Sequence, residues 1–197
     1  LIVPRPPPRP RILMDHLEKA RRVISLEIDE LTRLVERIDE SFVSAVEMLK
    51  ATVSEGAKIL IVGVGKSGNI GSKFAATLNS TGAPATVLHC QDAIHGDLGL
   101  VNAGDSVIAL SYSGETAELL SLLPHLKRRQ IRLIAITGKP FSTLGKAADC
   151  VIDIHVNREA CPLNLAPTSS TTNTLVIGDA LAMVLLEARG FTKEHFA

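Results

Sequence analysis

From residue 58 onward the chain alternates short apolar, β-branched runs with stretches of helical periodicity. The runs fall at 58–62, 84–88, 106–110, 132–136 and 151–154, and most are apolar at consecutive positions rather than at every second one. Strands of that kind are buried on both faces, as in a parallel sheet covered by helices. Their alternation with helical segments predicts an α/β fold with right-handed crossovers. Upstream, Leu31, Leu34, Val35, Ile38, Phe42, Ala45, Val46 and Leu49 recur at three- and four-residue steps, with Arg33, Glu36, Arg37 and Glu40 on the other side. This predicts helices over 12–26 and 28–53, whose apolar stripe needs either the domain's own core or another subunit. A last helix over 172–188 should stop at Gly190, a natural C-terminal cap. The first ten residues, LIVPRPPPRP, exclude helix and central strand, so a disordered or polyproline tail is expected over 1–11 and one domain over 12–197.

Composition narrows the function classes. The 197 residues hold 21 Lys+Arg against 21 Asp+Glu and only 3% aromatic residues. Nucleic acid is therefore not an expected partner, since its binding rests largely on neutralising phosphates and stacking bases. Cys90, Cys150 and Cys161 are odd in number and form no C-x-x-C pair, so neither a disulfide framework nor a metal site is expected. With no long apolar run, no membrane partner is expected and a soluble, cytoplasmic protein is.

In parallel sheets ligands sit at the carboxyl ends of the strands, so the chemistry should lie just after each run. After the first comes Gly63-Val64-Gly65-Lys66-Ser67-Gly68, a loop that lets backbone approach an anion and leads into a helix over 69–78. Its spacing also satisfies G-x-G-x-x-G, so an NAD-dependent oxidoreductase is one reading; the acidic residue expected after the second strand is displaced to Asp92. After the third comes Ser111-Tyr112-Ser113-Gly114-Glu115-Thr116, where hydroxyls and a helix start near Ala117 suit a phosphate or form an ordinary capped turn. A second hydroxyl cluster, Thr168-Ser169-Ser170-Thr171-Thr172, precedes the last helix. Together the loops would hold a phosphate with amides and hydroxyls, Lys66 supplying one cation. Glu115 and Glu159 each follow a strand end and could reach one cleft, or serve as surface or helix-capping acids. His95 has the ordinary pKa for proton transfer near neutrality, or is structural.

These segments, with His95-Gly96-Asp97-Leu98-Gly99 and the stretch from Glu159-Ala160-Cys161-Pro162-Leu163 to Thr172, resemble the sugar isomerase (SIS) domain of arabinose-5-phosphate isomerases, from about Leu26 onward. The resemblance implies a five-stranded parallel α-β-α sandwich, flavodoxin-like, with N-terminal helices, assembled as a dimer or tetramer. It implies interconversion of D-ribulose 5-phosphate and D-arabinose 5-phosphate through a cis-enediol, on the way to 3-deoxy-D-manno-octulosonate (Kdo), without cofactor. Carried over by motif, Lys66, His95, Glu115 and Glu159 would be catalytic. Gly65, Ser67, Ser111, Ser113, Thr116, Ser169 and Ser170 would bind the sugar phosphate. His95 would then serve a neighbouring subunit. Many members continue into CBS repeats through a Ser-His-Pro-Gly-Gly segment; this sequence stops before such repeats, and His195 does not match that segment. Tyr112 stands where the family usually has Asn and is expected to reshape the cleft. SIS domains also occur in regulators, so a non-catalytic sensor of a sugar phosphate or nucleotide sugar is the alternative.

Overall fold

A computed structural model describes residues 11–192 and residue 194. Of the tail expected over 1–11, residues 1–10 lie outside the described residues, and Arg11 already belongs to the first helix. Two helices, α1 (Arg11–Glu36) and α2 (Glu40–Ser54), precede β1 (Ile59–Gly63), α3 (Lys66–Ser80), β2 (Ala85–Val87) and α4 (Cys90–Ile94). A short 3-10 turn, Asp97–Leu100, leads to β3 (Ser106–Leu110), α5 (Ala117–Leu120), α6 (Leu123–Arg128), β4 (Arg132–Thr137), α7 (Thr143–Ala147), β5 (Cys150–Asp153) and α8 (Ser169–Ala188).

The expected break between the first two helices, near residue 27, is not there: α1 runs on to Glu36. Residues 26–28 contain neither Gly nor Pro, whereas Asp39 stops and restarts the helix by accepting a hydrogen bond from the Ser41 amide. The last helix likewise starts three residues earlier than its periodicity suggests, because Ser169 and Ser170 already belong to its first turn.

All five strands pair in parallel in the order β2-β1-β3-β4-β5, which is the flavodoxin-like order. Side-chain alternation along the strands divides the core into two layers. Ile59, Ile61, Ile108, Leu110, Ile134 and Ile136 point to a layer closed by α2, α3 and α8, into which α1 adds Leu34. Leu60, Val62, Val107, Ala109, Leu133 and Ala135 meet Leu119, Leu122, Leu126 and Leu144 from α5, the α5–α6 junction, α6 and α7 on the other face. Among the described residues α8 alone has the length and hydropathy to cross a membrane, but half of its apolar window is buried within the fold. It is a core helix, with Ile177, Leu181, Ala182 and Leu185 fully covered.

The order places β1 beside β3 while the chain leaves them in opposite directions, β1 toward β2 and β3 toward β4. A crevice opens at the carboxyl ends of such a strand pair. The glycine loop and the serine turn are the two segments that emerge there.

Candidate active site

The glycine loop is shaped by close backbone approach. A Cβ on Gly63 would lie 2.9 Å from the Ser67 carbonyl carbon, and one on Gly68 would lie 2.9 Å from the Gly63 oxygen. Only glycines let the end of β1 fold so tightly over the first turn of α3. Gly65, at φ +59°, is the N-cap of α3, and Lys66 is its first residue. Lys66 and Ser67 therefore start a 15-residue helix at the mouth of the crevice.

A cleft of about 490 Å³ opens there, lined among others by Lys66, Ser67, Tyr112, Arg158, Glu159 and Ser170. Glu159 enters it from the loop between β5 and α8. One carboxylate oxygen, Oε2, accepts from the Thr168 amide at 2.7 Å, the Thr168 hydroxyl at 3.0 Å and the Ser170 amide at 3.2 Å. The acid thus caps the N-terminus of α8, where exposed amides and the helix dipole favour an anion. Partial burial pushes its pKa up, but the bonds from Ser170 and Thr168 outweigh that and hold it below the usual Glu value. All three of those bonds fall on Oε2.

The loop carrying Glu159 is tied at its neck. The Glu159 amide donates to Asn164 Oδ1 at 2.8 Å and the Ala160 amide to Thr168 Oγ1 at 2.8 Å, while Asn164 takes a left-handed φ of +53° to close the turn. Tyr112 reaches across from the serine turn; its hydroxyl accepts from the Val156 amide at 3.1 Å and donates to the Val156 carbonyl at 3.3 Å. Burial raises the phenol's pKa, with the Val156 bond opposing it, so it stays protonated and able to donate. Tyr112 lines the cleft and also splints the loop.

The remaining expected site residues distribute differently. Ser111 is buried and its Oγ works within the turn, accepting from the Gly114 amide at 3.1 Å and pairing with Thr116 Oγ1 at 2.8 Å. Ser113 and Glu115 line a separate depression with Lys139, Asp153 and His155, so Glu115 does not share the Glu159 cleft of its own chain. Its carboxylate accepts from the Thr143 amide at 2.8 Å; that bond, with a further one to Thr143, lowers its pKa. Glu115 is therefore a helix-capping acid, although for α7 rather than for the helix that follows it in sequence. Ser169 is fully buried and its hydroxyl has no hydrogen-bond partner among the described residues, whereas Ser170 reaches the cleft wall. His95 is the exposed C-cap of α4 and lines none of these clefts. No group of His, Cys, Asp and Glu among the described residues is arranged to hold a metal. Arg158 is the functional candidate that motif spacing misses: it adds a second cation beside Lys66, and its only signal is its place immediately before Glu159.

Comparison with known proteins gives this geometry a context. The SIS domain family matches residues 53–184. Arabinose 5-phosphate isomerase KdsD of Pseudomonas aeruginosa is 54% identical over 93% of this chain, and GutQ of Escherichia coli K12, also an arabinose 5-phosphate isomerase, is 51% identical over 92%. The match takes in 56% of each of those relatives, so the chain spans about half their length. Among solved structures, E. coli CFT073 c3406 in complex with arabinose 5-phosphate superposes with a TM-score of 0.88 at 38% identity, covering 93% of this chain and 96% of that one.

Proposed function

The chain belongs to the SIS-domain family, and on that premise we propose that it is an aldose-ketose isomerase interconverting D-ribulose 5-phosphate and D-arabinose 5-phosphate. The observation that carries the reading is the cleft that joins Glu159, held as an anion at the N-terminus of α8, to Lys66 and Arg158. A relative in this family at 38% identity was solved with arabinose 5-phosphate, which supports a sugar phosphate as the ligand.

Isomerisation moves one proton between neighbouring carbons and one between their oxygens. Glu159 removes the C1 proton of the ketose, the C2 oxygen gains a proton, and a cis-enediol forms. The enediol then loses its C1 hydroxyl proton and regains a proton at C2, giving the aldose with no net change in atoms or electrons. Lys66 and Arg158 offset the negative charge that develops on oxygen, which is where a placed cation accelerates most. Ser67 and Ser170 bind the phosphate or sugar hydroxyls from the walls of this cleft; Ser113, in the depression with Glu115, contributes to the site that a neighbouring subunit completes, and Ser111 and Thr116, bonded to each other, shape the serine turn. Gly65 leaves the loop open to the ligand.

His95 and Glu115 do not line the cleft of their own chain, so we assign them to a site completed by a neighbouring subunit in a homo-oligomer. Exposed apolar residues support that assembly: Leu165 on the cleft wall and Leu163 on the same loop are 78% and 75% exposed, and Ile94, next to His95 in sequence, is also uncovered. The same reading places the enzyme in the cytoplasm, on a route to Kdo. Phosphorus NMR of ribulose 5-phosphate incubated with the chain tests the activity. A new arabinose 5-phosphate signal supports it, and an unchanged spectrum at stoichiometric protein overturns it.

A further inference from the structure

Beyond β5 the chain has no sheet neighbour. The last sheet-like bond is from the Ile154 amide to the Thr137 carbonyl at 3.0 Å. Residues 155–157 nonetheless form the stem on which Glu159 is carried into the cleft, and their backbone groups are taken up by side chains. Arg37 donates to the His155 carbonyl, Tyr112 meets both polar groups of Val156, and Glu30 Oε2 accepts from the Asn157 amide at 3.0 Å.

Glu30 is the unexpected member of this set. It lies on α1, more than a hundred residues away in sequence, outside the glycine, serine and threonine loops. It is 2% exposed, and its second oxygen accepts from Arg33 Nη1 at 2.7 Å. A buried carboxylate must have all its charge met by partners, and here both oxygens are occupied: one by a cation on its own helix, the other by the stem. Nothing in the proton transfer uses it. Its partner Asn157 is two residues from the proposed base, and Glu27 on the same helix adds a contact with the Thr172 hydroxyl at 3.3 Å.

We propose that Glu30 is a positioning residue, and that α1, through Glu30 and Arg37, fixes the stem that presents Glu159 to the sugar. A base displaced by even an ångström loses much of its rate, while the ligand contacts of Ser67 on α3 and Ser170 on α8 are left in place. Loss of Glu30 therefore lowers kcat and leaves KM nearly unchanged. The kinetic part of this inference rests on the isomerase reading; the structural part does not.

The test compares Glu30→Ala and Glu30→Gln with the unaltered chain, by steady-state kinetics on ribulose 5-phosphate and by hydrogen-exchange mass spectrometry of residues 155–160. Gln keeps an acceptor for the Asn157 amide and Ala does not. Glu30→Ala should lower kcat by about tenfold to a hundredfold with KM within about threefold, and speed exchange over 155–160 by about tenfold. Glu30→Gln should recover both to within about threefold. Unchanged exchange over 155–160 in Glu30→Ala overturns the proposal, as does an equal kcat loss in both variants. If Glu30→Ala gives no cooperative melting transition, Arg37→Met, which frees the same stem at His155, takes its place with the same expected loss and the same refuting result. If the unaltered chain does not turn over ribulose 5-phosphate, the isomerase reading fails while the exchange comparison still decides the clamp.

Discussion

Replacing Glu159 by Gln separates the helix-capping role of this carboxylate from its proposed role as the base. The substitution keeps the side chain's size and one oxygen able to accept from Thr168 and Ser170, but removes the charge and the proton acceptor. For stability, the loss is that of an anion at the N-terminus of the 20-residue α8, where three hydrogen bonds of 2.7, 3.0 and 3.2 Å converge. Such a partly buried helix-terminus charge contributes up to about 2 kcal/mol. We expect a loss of about 1 kcal/mol, or a Tm lowered by roughly 2–4 °C for a chain of this size. For catalysis, removing a general base costs about 100- to 10,000-fold in kcat, equivalent to ~3–5 kcal/mol in the barrier. Thermal melts and steady-state kinetics on one preparation measure both. A Glu159→Gln protein that melts normally and turns over within about threefold of the original would refute the assignment of Glu159 as the base. The stability effect also has a pH signature. Because the hydrogen bonds lower the folded-state pKa, the carboxylate's stabilisation is fully present above the ordinary Glu value of about 4.3 and is lost as pH falls through the lower folded value. In that acid window the melting difference between the two proteins should shrink.

Lys66 is exposed and forms no ion pair among the described residues, so Lys66→Met should leave Tm within a degree or so while lowering kcat by about 100-fold, a split read from melting and kinetics together. Gly114 has φ +63°, and a Cβ there would lie 1.9 Å from the Ser142 hydroxyl that caps α7; Gly114→Ala should cost about 2–4 kcal/mol in urea unfolding, and an unchanged midpoint contradicts it. At the opposite edge of the sheet, buried Asp105 accepts from the Lys58 amide at 3.0 Å, Lys58 Nζ at 2.7 Å and the Asn102 amide at 2.8 Å. Asp105→Ala should lose about 2–4 kcal/mol of stability yet keep the kcat of each folded molecule, so a selective fall in kcat would show that the two edges of the sheet are coupled.

The strands were legible because each is buried on both faces, and a run such as Ile59–Gly63 can then be apolar at every position. Strand order was not written in those runs; it came into view through the family resemblance. The helix boundaries show the limit of periodicity. An apolar stripe marks a face, but the break at residues 37–39 is set by one side-chain cap at Asp39. For the site, local motifs pointed to Lys66, Ser67 and Glu159, which line one cleft at the carboxyl ends of the strands. They could not tell which hydroxyls point outward. Ser169 and Ser170 are adjacent in sequence, yet one is sealed in the core and the other lines the cleft, because a helix turns by about 100° per residue. Glu115 looked equivalent to Glu159 because both follow strand ends. Their separation depends on which helix terminus each finds, α7 for one and α8 for the other, and that is a matter of packing. Glu30 carried no signal at all in sequence, since its partner is the backbone of a residue on a distant segment.

The central claim is that this chain moves a proton between two carbons of a pentose phosphate. The most direct test is to incubate it with ribulose 5-phosphate in deuterium oxide and follow the sugar by proton NMR and mass spectrometry. A carboxylate that exchanges its proton with solvent before returning it predicts arabinose 5-phosphate carrying deuterium at C2, with the signal abolished in Glu159→Gln. Binding of arabinose 5-phosphate with neither conversion nor deuterium uptake, in a folded and assembled protein, would contradict the claim and identify the cleft as that of a sensor.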